Sequence, residues 1–156
     1  MTTRQEEMPN SDQYRDSMTR LPQLANPVIQ SNIGQEIEKL KNASAWQQGV
    51  GRSSETLVKY AGLRIVLVVM KAQSRMNQHH ADGPISLQAI EGKLRLHLPE
   101  ERKLEVEPGG ILALEAGLKH DVEALVESAF LLTIAWTQTG LPENGIRDEA
   151  PLRCGL

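Results

Sequence analysis

Histidines stand at two places in this chain where a strand-like piece meets a turn. His79 and His80 come just before the turn Asp82-Gly83-Pro84. His120 closes the run Pro108-Gly109-Gly110-Ile111-Leu112-Ala113-Leu114-Glu115-Ala116-Gly117-Leu118-Lys119. An imidazole titrates near neutrality, so it can ligate a divalent metal or serve as an acid or base. Gln78 adds a neutral polar group beside the first pair. Asp121 and Glu123 follow His120, but on a regular strand they alternate with Val122 and so face away from the histidine, toward solvent. Asp82 could pair with His80, yet its place before Gly83-Pro84 reads first as turn chemistry.

Other chemistries find little footing. Gly49-Val50-Gly51 is too short for a phosphate loop and lacks the helix pattern that should follow. Ser53 and Ser54 have no nucleophile context. Cys154 is the single cysteine, so no intrachain disulfide forms and a reducing compartment is expected. Net charge is -3 and the pI about 5.8, which gives no electrostatic footprint for nucleic acid. With aromatics at 3% there are few stacking platforms for bases or sugars. The first twenty residues are polar and charged, unlike a signal peptide, and no apolar run reaches membrane-span length. The expectation is a cytoplasmic protein with no nucleic-acid or membrane partner.

The elements that must position the histidines follow from the texture of the chain. Residues 1–30 are rich in Gln, Asn, Ser, Asp and Glu with Pro9, Pro22 and Pro27, and read as a disordered or partner-wrapping arm. Residues 31–44 hold a short helix over about Gly34 to Ala43. Ser31 or Asn32 could cap it, and Ile33, Ile37 and Leu40 recur at helical spacing. Residues 45–136 alternate short apolar runs with turn residues, which predicts an all-β domain. Strands are expected at Thr56 to Tyr60, Leu63 to Lys71, Ile85 to Glu91, Lys93 to Leu98, Arg102 to Val106, Ile111 to Leu114, His120 to Ala124 and Ala129 to Trp136. Residues 137–156 carry Gly140, Pro142, Gly145 and Pro151 and read as a polar tail. Leu63 to Met70 is apolar on both faces, which fits a twice-covered strand or a homodimer built sheet on sheet.

The glycine and histidine spacing resembles the two-part signature of the cupin superfamily. In the first part Gly92 stands as the closing glycine, Ile85 at the usual glutamate, His80 at the second histidine and Gln78 at the first. In the second part Gly109, Gly117 and His120 match, while Glu115 replaces the proline and Ala124 the asparagine. The resemblance covers roughly residues 56 to 136, and it extends in texture to small single-domain bacterial cupins.

The resemblance implies an RmlC-like jelly-roll barrel with a short N-terminal helix and polar N- and C-terminal extensions. In metal-bearing cupins three histidines and one glutamate bind Fe, Mn, Ni or Zn. Here the corresponding set is Gln78, His80, Ile85 and His120, two imidazoles with no carboxylate. His79 could join only through a bulge, because neighbours on a regular strand point to opposite faces. If Ile85 points inward, Gln88 points outward. The resulting expectation is a barrel that binds or senses a small molecule without enzymatic activity, around Gln78, His80 and His120. The alternative is a metal-dependent dioxygenase- or isomerase-like enzyme with its ion on His80 and His120, helped by Gln78 or His79. A third reading is an interaction protein whose polar arms recruit partners.

Overall fold

The computed structural model describes residues 23–49 and 51–136. Most of the expected arm, all of the expected C-terminal tail and Cys154 lie outside the described residues. A short 3-10 turn at Gln23–Ala25 leads into helix α1, Ile33–Asn42, and helix α2, Ser44–Gln48. The Asn32 side chain caps α1 by accepting from the Gln35 amide at 3.1 Å, satisfying one of the orphan donors of the first turn. Glu36 near the start and Lys39 and Lys41 near the end suit the helix dipole. Helix α2 occupies the start of the stretch expected to be all β. It is a single turn pinned by the buried indole of Trp46, over which Lys71 Nζ sits 5.3 Å from the ring centroid.

Strands β1 (Arg52–Lys59), β2 (Leu63–Met70), β3 (Arg75–His79), β4 (Ile85–Glu91), β5 (Leu94–His97), β6 (Lys103–Val106), β7 (Ile111–Leu114), β8 (His120–Ala124) and β9 (Ser128–Ala135) follow. They form two antiparallel sheets, one in the order β1-β2-β9-β4-β7 and one in the order β3-β8-β5-β6. This is a jelly roll. It corrects the expectation of a barrel, because among the described residues no ladder joins the sheets and the arrangement is an open sandwich. The edge strands of the smaller sheet are β3 and β6, of five and four residues. Strand β3 was not among the expected strands. Met76 is its one apolar residue, so no alternation marks it.

The space between the sheets is filled with aliphatic side chains, among them Val66, Val68, Met70, Leu87, Leu94, Leu96 and Leu132, around Phe130. Each fully buried side chain of this kind contributes about 1.5–3 kcal/mol of transfer free energy. A second cluster lies outside the larger sheet, where Ile37, Leu40 and Trp46 cover Leu57, Leu67, Val69 and Ala129. The doubly apolar character of β2 is thus explained within one chain. Its even-numbered residues face the sandwich, and Leu67 and Val69 face the helices. Between β4 and β5 the chain turns at Gly92 with φ +79°, where an added Cβ would stand 2.3 Å from the Glu127 carbonyl oxygen. No helix among the described residues is long and apolar enough to cross a membrane.

Candidate functional site

One end of the sandwich collects the polar groups. There β2, β4 and β8 begin and β3, β7 and β9 end. Short backbone bonds close this mouth: Gly117 N donates to Ala81 O at 2.8 Å, Ala135 N to Pro84 O at 3.0 Å and Trp136 N to Gly62 O at 3.0 Å.

The ladder between β3 and β8 is irregular. Met76 pairs with Val122, but His79 pairs with His120, so three steps on β3 match two on β8. This bulge inserts one residue and returns His79 to the face of the buried Met76. The two rings meet edge to face at 62°, with centroids 4.4 Å apart. His79 Nδ1 donates to Asn77 O at 2.7 Å, and His120 Nδ1 donates to Leu118 O at 2.9 Å. A carbonyl only accepts, so in each neutral ring the proton sits on Nδ1 and Nε2 keeps a bare lone pair. Gln78 falls at the bulge and is exposed. His80 lies just past the strand with its side chain 40% exposed, and its Nε2 is 3.9 Å from Asp82 Oδ1. Of the four residues singled out in the sequence, the fold brings His79 and His120 into ring contact and leaves Gln78 and His80 at the rim.

His120 is buried, and burial holds its pKa below the ordinary histidine range, helped by neighbouring His79 and opposed by the Leu118 carbonyl. Its imidazole is therefore neutral at neutral pH and available as an acceptor. Asp121 and Glu123 do face away from His120, on the outer side of the smaller sheet, but the expectation of solvation needs correction. Asp121 is 8% exposed, tucked under Arg75, which pairs with its Oδ2. Glu123 Oε2 lies 2.8 Å from His97 Nε2, and this bond together with Arg95 keeps Glu123 below the usual carboxylate range. His97 was not considered in the sequence reading. Its alternation with Leu94 and Leu96 places it on this ion-paired outer face.

Ile85 is buried and belongs to the interior cluster, while Gln88 is exposed on the opposite side of β4. Register places Ile85 opposite Ile134 and Leu114, and Ile134 opposite Arg64. Arg64 and Trp136 are further residues the sequence reading passed over. The guanidinium carbon of Arg64 lies 5.5 Å from the Trp136 ring centroid. The available signal was a single charge inside the apolar run of β2. A cavity of about 290 Å³ lies elsewhere, between residues 24–31 and Thr56 and Leu57 of β1, and no histidine lines it.

Several solved structures share this architecture. A cupin-2 domain protein from Shewanella frigidimarina superposes with a TM-score of 0.55 at 14% identity, over 68% of this chain and 94% of its own. An RmlC-like cupin from Desulfovibrio desulfuricans gives 0.53 at 20% identity, over 62% and 91%. A cupin superfamily protein from Desulfitobacterium hafniense gives 0.53 at 14%, over 55% and 78%. The fold is that of the cupin superfamily. No family model matches the cupin-fold chain, and no curated protein is similar to it in sequence.

Within the cupin frame, the donor set does not fit a resident metal. The position of the family's glutamate carries Ile85, buried in hydrocarbon. Among the described residues, no group of three or more His, Cys, Asp or Glu side chains is placed to hold an ion. Two imidazoles without a carboxylate leave the charge of a divalent ion uncompensated.

Proposed function

We propose that this cupin-fold protein binds a small polar molecule at the mouth of its sandwich and performs no metal chemistry there. One observation carries the reading. His79 and His120 each spend Nδ1 on a backbone carbonyl, which leaves Nε2 for a ligand, while the neighbouring motif position is a buried isoleucine. Two imidazoles whose Nδ1 atoms are already engaged by carbonyls, above an aliphatic floor, suit a ligand with a polar group and an apolar body. Gln78 and His80 at the rim are the further contacts in this proposal. The expected homodimer belongs to it as well, supported by Ile111, which is 68% exposed on edge strand β7.

A second reading, a metal-dependent enzyme with a reduced site, draws on one feature. Both Nδ1 atoms are fixed by carbonyls, which is how ligating histidines are commonly oriented. Metal content of untagged protein, measured beside the His79→Ala/His120→Ala variant, separates the two. Stoichiometric metal in the wild type that disappears in the variant would overturn the binding reading. Equal traces in both, together with a small-molecule hit that stabilises only the wild type, would support it.

A further inference from the structure

We infer that the ligand of this mouth is a small carboxylic acid in its anionic form, gripped by Arg64 and laid against Trp136. The inference rests on the mouth being the binding site.

Arg64 stands in a row of directly opposed residues that runs Lys59, Arg64, Ile134, Ile85, Leu114 across β1, β2, β9, β4 and β7. Lys59 is exposed at the edge and the last three are buried aliphatics of the interior, so Arg64 is the cation of this row that abuts hydrocarbon. Among the described residues no carboxylate pairs with this guanidinium, and its Nε is wholly buried without a hydrogen-bond partner. Desolvation is the single influence on its titration, which it pushes below the usual arginine range. A guanidinium stays charged at any ordinary pH, and a charge removed from water without a partner is costly. The stacked Trp136 ring offsets part of that cost and leaves the donors free. Three other cations in or beside the strands are paired: Arg75 with Asp121, Arg95 with Glu105, and Lys93 with Glu105 and Glu107. Arg64 differs from these three in having no acid beside it among the described residues.

The charge and shape of the site choose the anion. A guanidinium fork matches the two oxygens of a carboxylate in one plane. Trp136 and Leu118, both partly buried against the core, offer the ligand an apolar wall.

The test uses the full chain and nitrogen–proton correlation spectra. The Arg64 Nε–H and Trp136 indole signals are assigned with Arg64→Met and Trp136→Phe. Acetate, glycolate, inorganic phosphate and acetamide are then added at fixed ionic strength. Acetate and glycolate should move both signals to saturation, and acetamide should not. Arg64→Met should abolish the response and melt no lower than wild type, because it removes an unpaired charge and keeps the length of the side chain. Arg64→Lys, which keeps the charge and loses the fork, should weaken binding by roughly tenfold. Drift no larger than that caused by sodium chloride would overturn the inference. So would saturation by phosphate alone, or an Arg64→Met variant that melts lower and still responds to acetate. Acetamide moving the His79 and His120 ring signals with Arg64 still would sink the carboxylate and leave the histidine site standing. Acetate saturating at Arg64 with both histidines unmoved would do the reverse.

Discussion

His79 lies directly across the ladder from His120, rings 4.4 Å apart, because one extra residue is accommodated in β3 between Met76 and the end of the strand. A regular strand would pair residue 78 with His120 and send His79 to the outer face. The bulge therefore decides which imidazole meets His120. A glutamine or a histidine in that place gives two quite different mouths.

The buried imidazole of His120 makes stability depend on pH. Its folded pKa lies below its unfolded value, near 6.5, so the unfolded chain takes up the proton first as the pH falls. The contribution is complete above the unfolded pKa and is lost as the pH drops through the interval down to the folded one. Urea midpoints measured from pH 7.5 to 5 should fall on the acid side, and His120→Gln should flatten that limb. Equal slopes in both proteins would contradict the account.

Ile85→Glu restores the family's carboxylate at the mouth. In apo protein it should cost at least about 2 kcal/mol, because the new charge is set in hydrocarbon. Added zinc should then raise the melting temperature of the variant and leave that of the wild type where it was. A zinc-induced rise of the same size in wild type would mean that the present donor set suffices.

The helical layer is predicted to be integral to the sandwich. Ile37 is 1% exposed beneath α1 and touches the cluster that covers Leu67 and Val69. Ile37→Ala should lower stability by about 2–5 kcal/mol in denaturant titrations. A midpoint unchanged from wild type would show the helices to be dispensable.

Gly92 offers a backbone test. Its φ of +79° favours glycine, and a methyl group there would collide with the Glu127 carbonyl and with Ser128. Gly92→Ala should cost about 2–4 kcal/mol. A loss within about 0.5 kcal/mol would mean that the hairpin can relax away from β9.

Much of this fold is legible in the chain. Ile85 to Glu91, Ile111 to Leu114 and His120 to Ala124 are bounded by turn residues, and the structure reproduces those limits. The first helix shows in Asn32 and in the spacing of Ile33, Ile37 and Leu40. These features are local, because turn geometry, capping and burial periodicity depend on residues near in sequence. Strand β3 and helix α2 were not legible. Each hangs on one buried side chain, Met76 or Trp46, and a single apolar residue sets no period.

The sequence by itself determined an all-β domain and the presence of histidines near strand ends, and its resemblance to cupins implied the jelly roll and an isoleucine where metal-bearing cupins carry a glutamate. Only the tertiary structure decided that His79 meets His120, that Asp121 is buried beneath Arg75, and that Arg64 lies beside Trp136 with no acid next to it among the described residues. The reason is physical. A residue type is a local fact, but a bulge depends on the partner strand, and whether a charge is paired depends on residues tens of positions away.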